Sequence, residues 1–431
     1  MAKRFNKYII FTVTVILFLH TAFIFAEPEI HSPAAVLIEY ESGDILYDKN
    51  MDEPMYPAST TKIMTALLVL ENLDLNKTIT VPEDMGPAEG SAMYLLPGET
   101  FTVEELLEGL LIRSANDAAV LFAREIAGDV KSFAKMMNER AKEIGCTNTH
   151  FVNPNGLPDP EHTISPHDLA LIAREAMHND KFRELVKTPY IQIHATEQTP
   201  EIRYFRNTNK FLWCKNKTMN YGGKEIPIKY DVVDGIKTGY TEDAGSCLVS
   251  SGEKNGIRVI AVVLKDTPDT LYLDSRKLLD YGFDNFTSVD LIKAGDTIGK
   301  KDVPDTVQNT LEFYVKDGYS YIKNKKSKDE IKTETVLNDL NLPVTKDSIV
   351  GFLNIKKGDE ILSSLPLYSK YDLESIYSFK NFKVMAEKYK YWVVIGIAAL
   401  IILIALIIFL FKKINSKYQR SKRYKHYKHL K

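Results

Sequence analysis

The chain has 431 residues, 45% of them hydrophobic, with 55 Lys and Arg against 57 Asp and Glu. Such a length and apolar share suit two globular domains with accessory segments. Setting aside nine basic residues at the C-terminus and three at the N-terminus leaves 43 cations facing 57 anions, a net charge near −14 that argues against nucleic acid as a partner.

Residues 1–26 open with Lys3, Arg4 and Lys7, run apolar from Tyr8 to Phe25 and reach Ala26 just before Glu27-Pro28. This layout predicts a secretory signal peptide cut after Ala26, with an uncleaved anchor helix as the alternative. A β-prone run over 34–40, a turn at Glu41-Ser42-Gly43-Asp44 and a return over 45–47 predict a hairpin. Helical periodicity follows over 61–72, 103–112, 117–127, 131–144 and 166–177. Residues 214–231, polar and carrying Gly222-Gly223, read as a surface loop. Strands return over 247–251 and 258–264, on either side of a turn at Lys254-Asn255-Gly256. Residues 277–281 then belong to a closing helix that ends at Gly282. Strand, helical insertion, strands and helix predict an α/β domain whose cleft lies between a sheet and a helical lobe.

Residues 287–373 change texture, with short alternating runs such as Leu311-Glu312-Phe313-Tyr314-Val315 and Ile349-Val350-Gly351-Phe352. They predict a small second domain, mostly β, without a cluster of catalytic side chains. Residues 374–391, rich in Lys and Tyr, read as a stalk. From 392 to 411 there are 20 consecutive residues without a charge. As a helix they reach ~30 Å, the thickness of a bilayer's hydrocarbon core, and predict a transmembrane segment. Residues 412–431 hold nine Lys and Arg and no acid, so the positive-inside rule places this tail in the cytoplasm and the rest of the chain outside. Tyr418, Tyr424 and Tyr427 among these cations resemble an RNA-binding arm, but a basic tail that follows a span fits anionic lipid headgroups better.

Cys146, Cys214 and Cys247 are the chain's three cysteines, an odd number with no Cys-x-x-Cys pair, so neither a disulfide framework nor a zinc site is expected. Cys247 reads as a buried, inert thiol. The chain has no His-Glu-x-x-His pattern, which removes the usual ligands of a metallohydrolase.

Three short words in a fixed order carry the chemistry: Ser59-Thr60-Thr61-Lys62, Ser114-Ala115-Asn116 and Lys237-Thr238-Gly239. Ser-x-x-Lys recurs at Ser132 to Lys135 and at Ser251 to Lys254, where ordinary helix and turn surface is expected. A serine hydroxyl needs a base within hydrogen-bond reach. Lys62 stands three residues after Ser59 on one helical face, which sets its amine beside the hydroxyl. Burial and a second cation, supplied by Lys237, would lower the pKa of that amine and free it to act as a base. Taken alone, the first word also reads as a capping Ser59 or Thr60 with a solvated Lys62. Ser114 can relay a proton, and Asn116 offers a donor and an acceptor to a substrate amide. Lys237 and Thr238 suit a carboxylate, Gly239 keeps its strand open to an incoming backbone, and the N–H of Tyr240 is a candidate oxyanion donor beside that of Ser59. Together the words predict serine acyl transfer with lysine as base.

Longer stretches around these words resemble one family: Pro57-Ala58-Ser59-Thr60-Thr61-Lys62-Ile63-Met64-Thr65, Gly90-Ser91-Ala92-Met93-Tyr94, Ser114-Ala115-Asn116-Asp117-Ala118-Ala119, Asn153-Pro154-Asn155-Gly156-Leu157 and Asp234-Gly235-Ile236-Lys237-Thr238-Gly239-Tyr240-Thr241. The chain resembles the low-molecular-weight penicillin-binding proteins, the serine-type D-alanyl-D-alanine carboxypeptidases. The resemblance covers about 30–286, and more loosely the β-rich 287–373. It implies a β-lactamase/transpeptidase-like domain, an antiparallel sheet with a helical lobe, followed by a small β-rich domain and the membrane helix. It also implies removal of the terminal D-alanine of peptidoglycan stem pentapeptides through an acyl-enzyme on Ser59, with no metal or cofactor. Lys62 would be the base, Ser114 and Asn116 the second motif, Lys237 with Thr238 the carboxylate grip, and β-lactams would acylate the same serine. Two features depart from the family's pattern: a full span where many relatives have an amphipathic helix, and a long 214–231 segment.

Other readings stay open at this stage. A β-lactamase shares the three words but needs a glutamate-held water, for which Glu161 is the local candidate. Action on cross-linked stems as an endopeptidase is a close relative of the main reading. A wall-binding scaffold without catalysis would keep the fold and lose the site geometry. A sporulation and a vegetative role are not separable by sequence.

Overall fold

The computed structural model describes residues 27–87, 89–328 and 330–428. The expected signal segment, 1–26, lies outside the described residues, as do the side chains of the tail from 424 onward. Two compact units result: one runs to Val289 and includes Tyr321–Ser327, the other holds Asp290–Ser320 and the chain from Lys328.

The first unit is built on five antiparallel strands. These are β1 (Ala34–Glu39), β2 (Ile45–Lys49), β3 (Val233–Thr241), β4 (Gly245–Lys254) and β5 (Ile257–Asp266), in the order β3-β4-β5-β1-β2. Strand β1 is buried along its whole length because helices cover both faces of the sheet. Its side chains alternate accordingly: Ala34, Val36 and Ile38 join the core beneath the helical lobe, whereas Ala35 and Leu37 join the core beneath a C-terminal helix.

The lobe comprises α1 (Lys62–Asn72), α2 (Val103–Glu108), α3 (Asn116–Ala127), α4 (Val130–Ile144), α5 (Pro166–Met177) and α6 (Asp180–Lys187). Local chemistry fixes several starts. Thr102 and Glu105 form a reciprocal capping box at α2, Asp129 accepts from Ser132 N at α4, and Ser165 caps α5 with Pro166 at its first position. The expected helix over 103–112 is regular only to Glu108; Gly109–Arg113 widens into a π turn that ends in left-handed Ser114 (φ 68°). Gly109 permits this, since a Cβ there would lie 1.9 Å from Met93 Sδ.

Three expectations are corrected in this unit. The closing helix, α7 (Leu271–Asn285), is much longer than 277–281, and Gly282 lies inside it. A Cβ at Gly282 would sit 3.1 Å from both Leu37 and Val259, so the glycine brings the helix close to the sheet and does not terminate it. Residues 214–231 are not a plain surface loop: Thr218–Tyr221 and Lys224–Pro227 pair as a hairpin, and Cys214, Met219, Ile228 and Tyr230 are buried. Gly222 and Gly223 (φ 58° and 81°) adopt the left-handed conformations that a tight hairpin turn requires. Ser251, expected at the surface, is buried on β4 and accepts from Arg258.

The second unit holds β6 (Thr297–Asp302), β7 (Thr310–Val315), β8 (Ile331–Leu337), β9 (Ile349–Lys357) and β10 (Glu360–Ser369), in the order β6-β7-β10-β9-β8. Alternation along β7 sends Leu311, Phe313 and Val315 into a core with Val350, Leu353 and Leu367. The boundary expected at 373 shifts, because Leu373 and Ile376 are buried and the backbone bridges Val344 to Leu373 and Thr306 to Ser375. Nor is there a separate stalk: α8 (Phe382–Lys428) begins ten residues before the uncharged stretch and runs through it unbroken. Asp305 accepts from Lys388 Nζ (2.9 Å) and from the Tyr389 hydroxyl (3.2 Å), tying α8 to the β-rich unit.

Among the described residues all three cysteines are unpaired. Burial pushes the thiols of Cys146 and Cys247 up to about 12, which leaves Cys247 inert as expected.

Candidate active site

The nucleophile turn is a short 3-10 segment, Ala58–Thr61, leading directly into α1. Ala58 is left-handed (φ 48°), an uncommon state for a residue with a Cβ, and neighbouring bonds hold it there. Thr60 Oγ1 donates to the carbonyl of Pro57 (2.7 Å) and Thr61 Oγ1 to that of Ala58 (2.9 Å). Lys62 is the first residue of α1 and is fully buried, so the capping-and-solvated alternative does not hold for its amine. Nζ donates to Ser59 Oγ at 2.9 Å and to the carbonyl of Asn155 at 2.7 Å. Burial, and then the charge of Lys237, lower its pKa well below 10.5, against a smaller opposing pull from Asp117.

Residues 152–157 brace this turn through His162. Its Nδ1 accepts from Val152 N (3.0 Å), which leaves the hydrogen on Nε2 to be donated to Thr61 Oγ1 (2.9 Å). Burial lowers this imidazole to about 4, keeping it neutral near pH 7. Thr65 Oγ1 donates to Pro154 O (2.6 Å), and Gly156 (φ 80°) lies so close that a Cβ would stand 1.8 Å from Ala58 O.

The second word sits where the π turn meets α3. Ser114 is nearly buried. Asp117 Oδ1 and Oδ2 accept from Met93 N and Leu95 N, both at 3.1 Å, and Asn116 N donates to Ser91 O (2.7 Å). These bonds explain what the Gly90–Tyr94 stretch does: it packs beside α3 and brings Ser91 to the cavity. Asn116 departs from the expectation of a free donor and acceptor. Its Nδ2 donates to Glu89 O (2.6 Å), leaving Oδ1 buried without a hydrogen-bond partner.

The third word lies on β3. A Cβ on Gly239 would meet Pro57 O at 2.9 Å and Ser59 N at 3.0 Å, so the strand passes directly against the nucleophile turn. Thr238 Oγ1 donates to Thr208 Oγ1 (2.6 Å). Lys237 is 1% exposed and its Nζ donates to the Thr238 carbonyl (3.0 Å). Burial pulls its amine down to about 7.

A cavity of about 450 Å³ joins these parts, with Ser59, Ser91, Ser114, Thr208, Lys210, Thr238, Gly239, Tyr240, Ser246, Pro268, Leu271 and Tyr272 in its wall. Five of the eight expected residues therefore reach it: Ser59, Ser114, Thr238, Gly239 and Tyr240. Lys62, Asn116 and Lys237 are buried and form no part of that wall. Sequence reasoning missed Asn155 and His162 as braces and Thr208, Lys210 and Tyr272 as wall residues. No fixed spacing links 208–210 to the three words, and His162 carries no partner pattern nearby. Glu161, weighed as a hydrolytic base, lines a different cleft beside α4.

Residues 21–268 match the family described as D-alanyl-D-alanine carboxypeptidase, and residues 286–375 match the C-terminal domain of penicillin-binding protein 5. The chain is 36% identical to the D-alanyl-D-alanine carboxypeptidase DacF of Bacillus subtilis, over 79% of this chain and 85% of that protein. It is 30% identical to the D-alanyl-D-alanine carboxypeptidase DacD of Escherichia coli, over 81% and 88% respectively. Among solved structures, penicillin binding protein 5 from Haemophilus influenzae superposes with a TM-score of 0.65 at 28% identity, covering 81% of this chain and 99% of that one. PBP3 from Streptococcus pneumoniae gives 0.64 at 27% identity, over 80% and 100%. The sequence words, the lysine-paired serine and these likenesses agree: the chain belongs to the D-alanyl-D-alanine carboxypeptidase family of serine peptidases.

Proposed function

We propose that the protein removes the terminal D-alanine of peptidoglycan stem pentapeptides, with Ser59 as the acylated nucleophile. The observation that carries the assignment of roles is the 2.9 Å contact between Ser59 Oγ and a fully buried Lys62 amine. A neutral Lys62 takes the hydroxyl proton as Oγ attacks the penultimate carbonyl. The backbone N–H groups of Ser59 and Tyr240 receive the developing oxyanion, a contribution of about a hundredfold to a thousandfold per donor. Ser114 passes the proton on to the departing amine, and water then releases the acyl group by the reverse relay. Asn116 holds the second word against the Glu89–Ser91 backbone, and Lys237 supports the site with its charge.

β-Lactams acylate the same serine in this reading. The span of α8 holds the protein in the cell membrane with the catalytic unit outside and the basic tail in the cytoplasm, which the charge asymmetry of the two flanks supports.

The test uses the full chain in detergent micelles with diacetyl-Lys-D-Ala-D-Ala, reading free D-alanine. Wild type should release it, and Ser59→Ala should lower the rate by about 10³-fold or more. Equal release by the two proteins, or none by wild type, would overturn the assignment.

A further inference from the structure

A second cleft in the catalytic unit runs beside α4, apart from the three words. Its volume is about 640 Å³, against about 450 Å³ for the cavity at Ser59, and the two walls share no residue. Helix α4 contributes Lys131, Lys135 and Lys142, whose helical spacing sets them along one face. From Lys131 to Lys142 the helix rises ~16 Å, the reach of about five extended residues. His150, Phe151, Val152 and Glu161 stand opposite. Ala134 and Phe151 are buried and give the cleft an apolar floor.

The two sides of the cleft are fastened to each other. Asn138 on α4 donates from Nδ2 to Phe151 O (2.8 Å) and accepts at Oδ1 from Phe151 N (2.8 Å), so one amide clamps the far wall to the helix. The Phe151 ring meets that of His162 edge-on at 5.6 Å. His150 Nδ1 donates to Glu161 O (2.8 Å), which leaves Nε2 as an acceptor. Lys131 and Lys142 form no ion pair among the described residues. Lys135 reaches Glu139 only at 3.8 Å, with both side chains mostly exposed, which makes a weak pair. Unpaired ammonium groups, two carboxylates and an apolar floor suit a ligand that carries both signs of charge and small apolar groups. Glu139 and Glu161 would oppose a polyphosphate.

We propose that the α4 cleft is an exosite for a second stem peptide of the wall polymer whose D-alanine is removed at Ser59. The inference rests on the carboxypeptidase reading above for the identity of that polymer. Stem carboxylates meet Lys131 and Lys142, the amine of the stem's basic residue meets Glu139 and Glu161, and alanine methyls lie on Phe151. Because the polymer carries many stems, a weak grip here raises the local concentration of a neighbouring stem at Ser59 without touching the chemistry. A lone peptide gains nothing from it.

The experiment acylates the full chain in detergent micelles with benzylpenicillin, which closes the Ser59 cavity, and confirms the adduct by mass. Equilibrium dialysis then follows L-Ala-γ-D-Glu-L-Lys-D-Ala. Saturable binding is expected, and the double variant Lys131→Glu, Lys142→Glu should weaken it at least about tenfold, the scale of one charge-assisted hydrogen bond. Without benzylpenicillin, the same variant should release D-alanine from purified sacculi about tenfold more slowly, while its rate on diacetyl-Lys-D-Ala-D-Ala stays within about twofold and reports an intact fold. No saturable binding by acylated wild type, equal affinity in the double variant, or undiminished release from sacculi overturns the inference. An equal loss on both substrates overturns it as well, and so does tighter binding of poly(glycerol phosphate) than of the tetrapeptide. Failure of the carboxypeptidase reading would instead show as no D-alanine from wild type on either substrate.

Discussion

Two neighbours pull the Lys62 amine in opposite directions: the Lys237 charge disfavours its proton and Asp117 favours it, while burial supplies the largest effect. The acid limb of Ser59 acylation by benzylpenicillin should therefore be centred well below 10.5. Lys237→Met removes a positive neighbour, which makes protonation of Lys62 easier, so half-protonation and the acid limb move to higher pH. Acylation rates measured against pH in the two proteins check this, and a limb that stays in place or moves down contradicts it. The sequence specified Ser59, Lys62 and their pairing because three residues of helix leave the amine little choice of partner. It did not reveal that Asn116 turns its amide donor toward Glu89, or that Lys237 faces inward. Those are consequences of long-range packing, which spacing along one chain does not encode.

The elements show the same division. Strands β1, β4 and β5 and helices α1 and α5 were legible because their apolar period matched a two-sided sheet or a one-sided helix. Gly282 was misread because a glycine that ends a helix and one that lets a helix press on a sheet look alike in sequence; the difference lies in Leu37 and Val259. Helix α6 was missed, being eight residues long. The 152–157 segment has no regular structure, yet it decides how the nucleophile turn sits. Gly156→Ala would place a methyl 1.8 Å from Ala58 O at φ 80°. The chain must part there, taking the Asn155 carbonyl from Lys62. Stability should fall by about 1–3 kcal/mol and acylation of Ser59 should slow at least about tenfold. Gly145→Ala serves as the control: its φ is 102° but a Cβ there meets nothing within 4 Å. It should cost stability alone, so equal acylation in the two variants would refute the bracing role.

In the whole molecule, the recurring words reached only the first unit, and the β-rich unit was legible as alternation without an accurate end. Its border was misplaced because Leu373 and Ile376 belong to its core although the sequence around them is polar. The uncharged stretch of α8 is exposed along its length, as an apolar helix made for lipid would be. A chain ending at Tyr391 should remain in the soluble fraction after membrane sedimentation, whereas the full chain should need detergent. Pelleting of the shortened chain would point to a second membrane-binding element.

No proline interrupts α8, and its lone glycine, Gly396, lies within the uncharged stretch rather than at either border. With Asp305 clasping Lys388 and Tyr389, the β-rich unit has no slack joint through which to ignore the lean of the rod below it. A bilayer thinner than the span tips such a rod. Lipid chain length would then act as a lever, swinging the β-rich unit across the membrane face by mechanics alone.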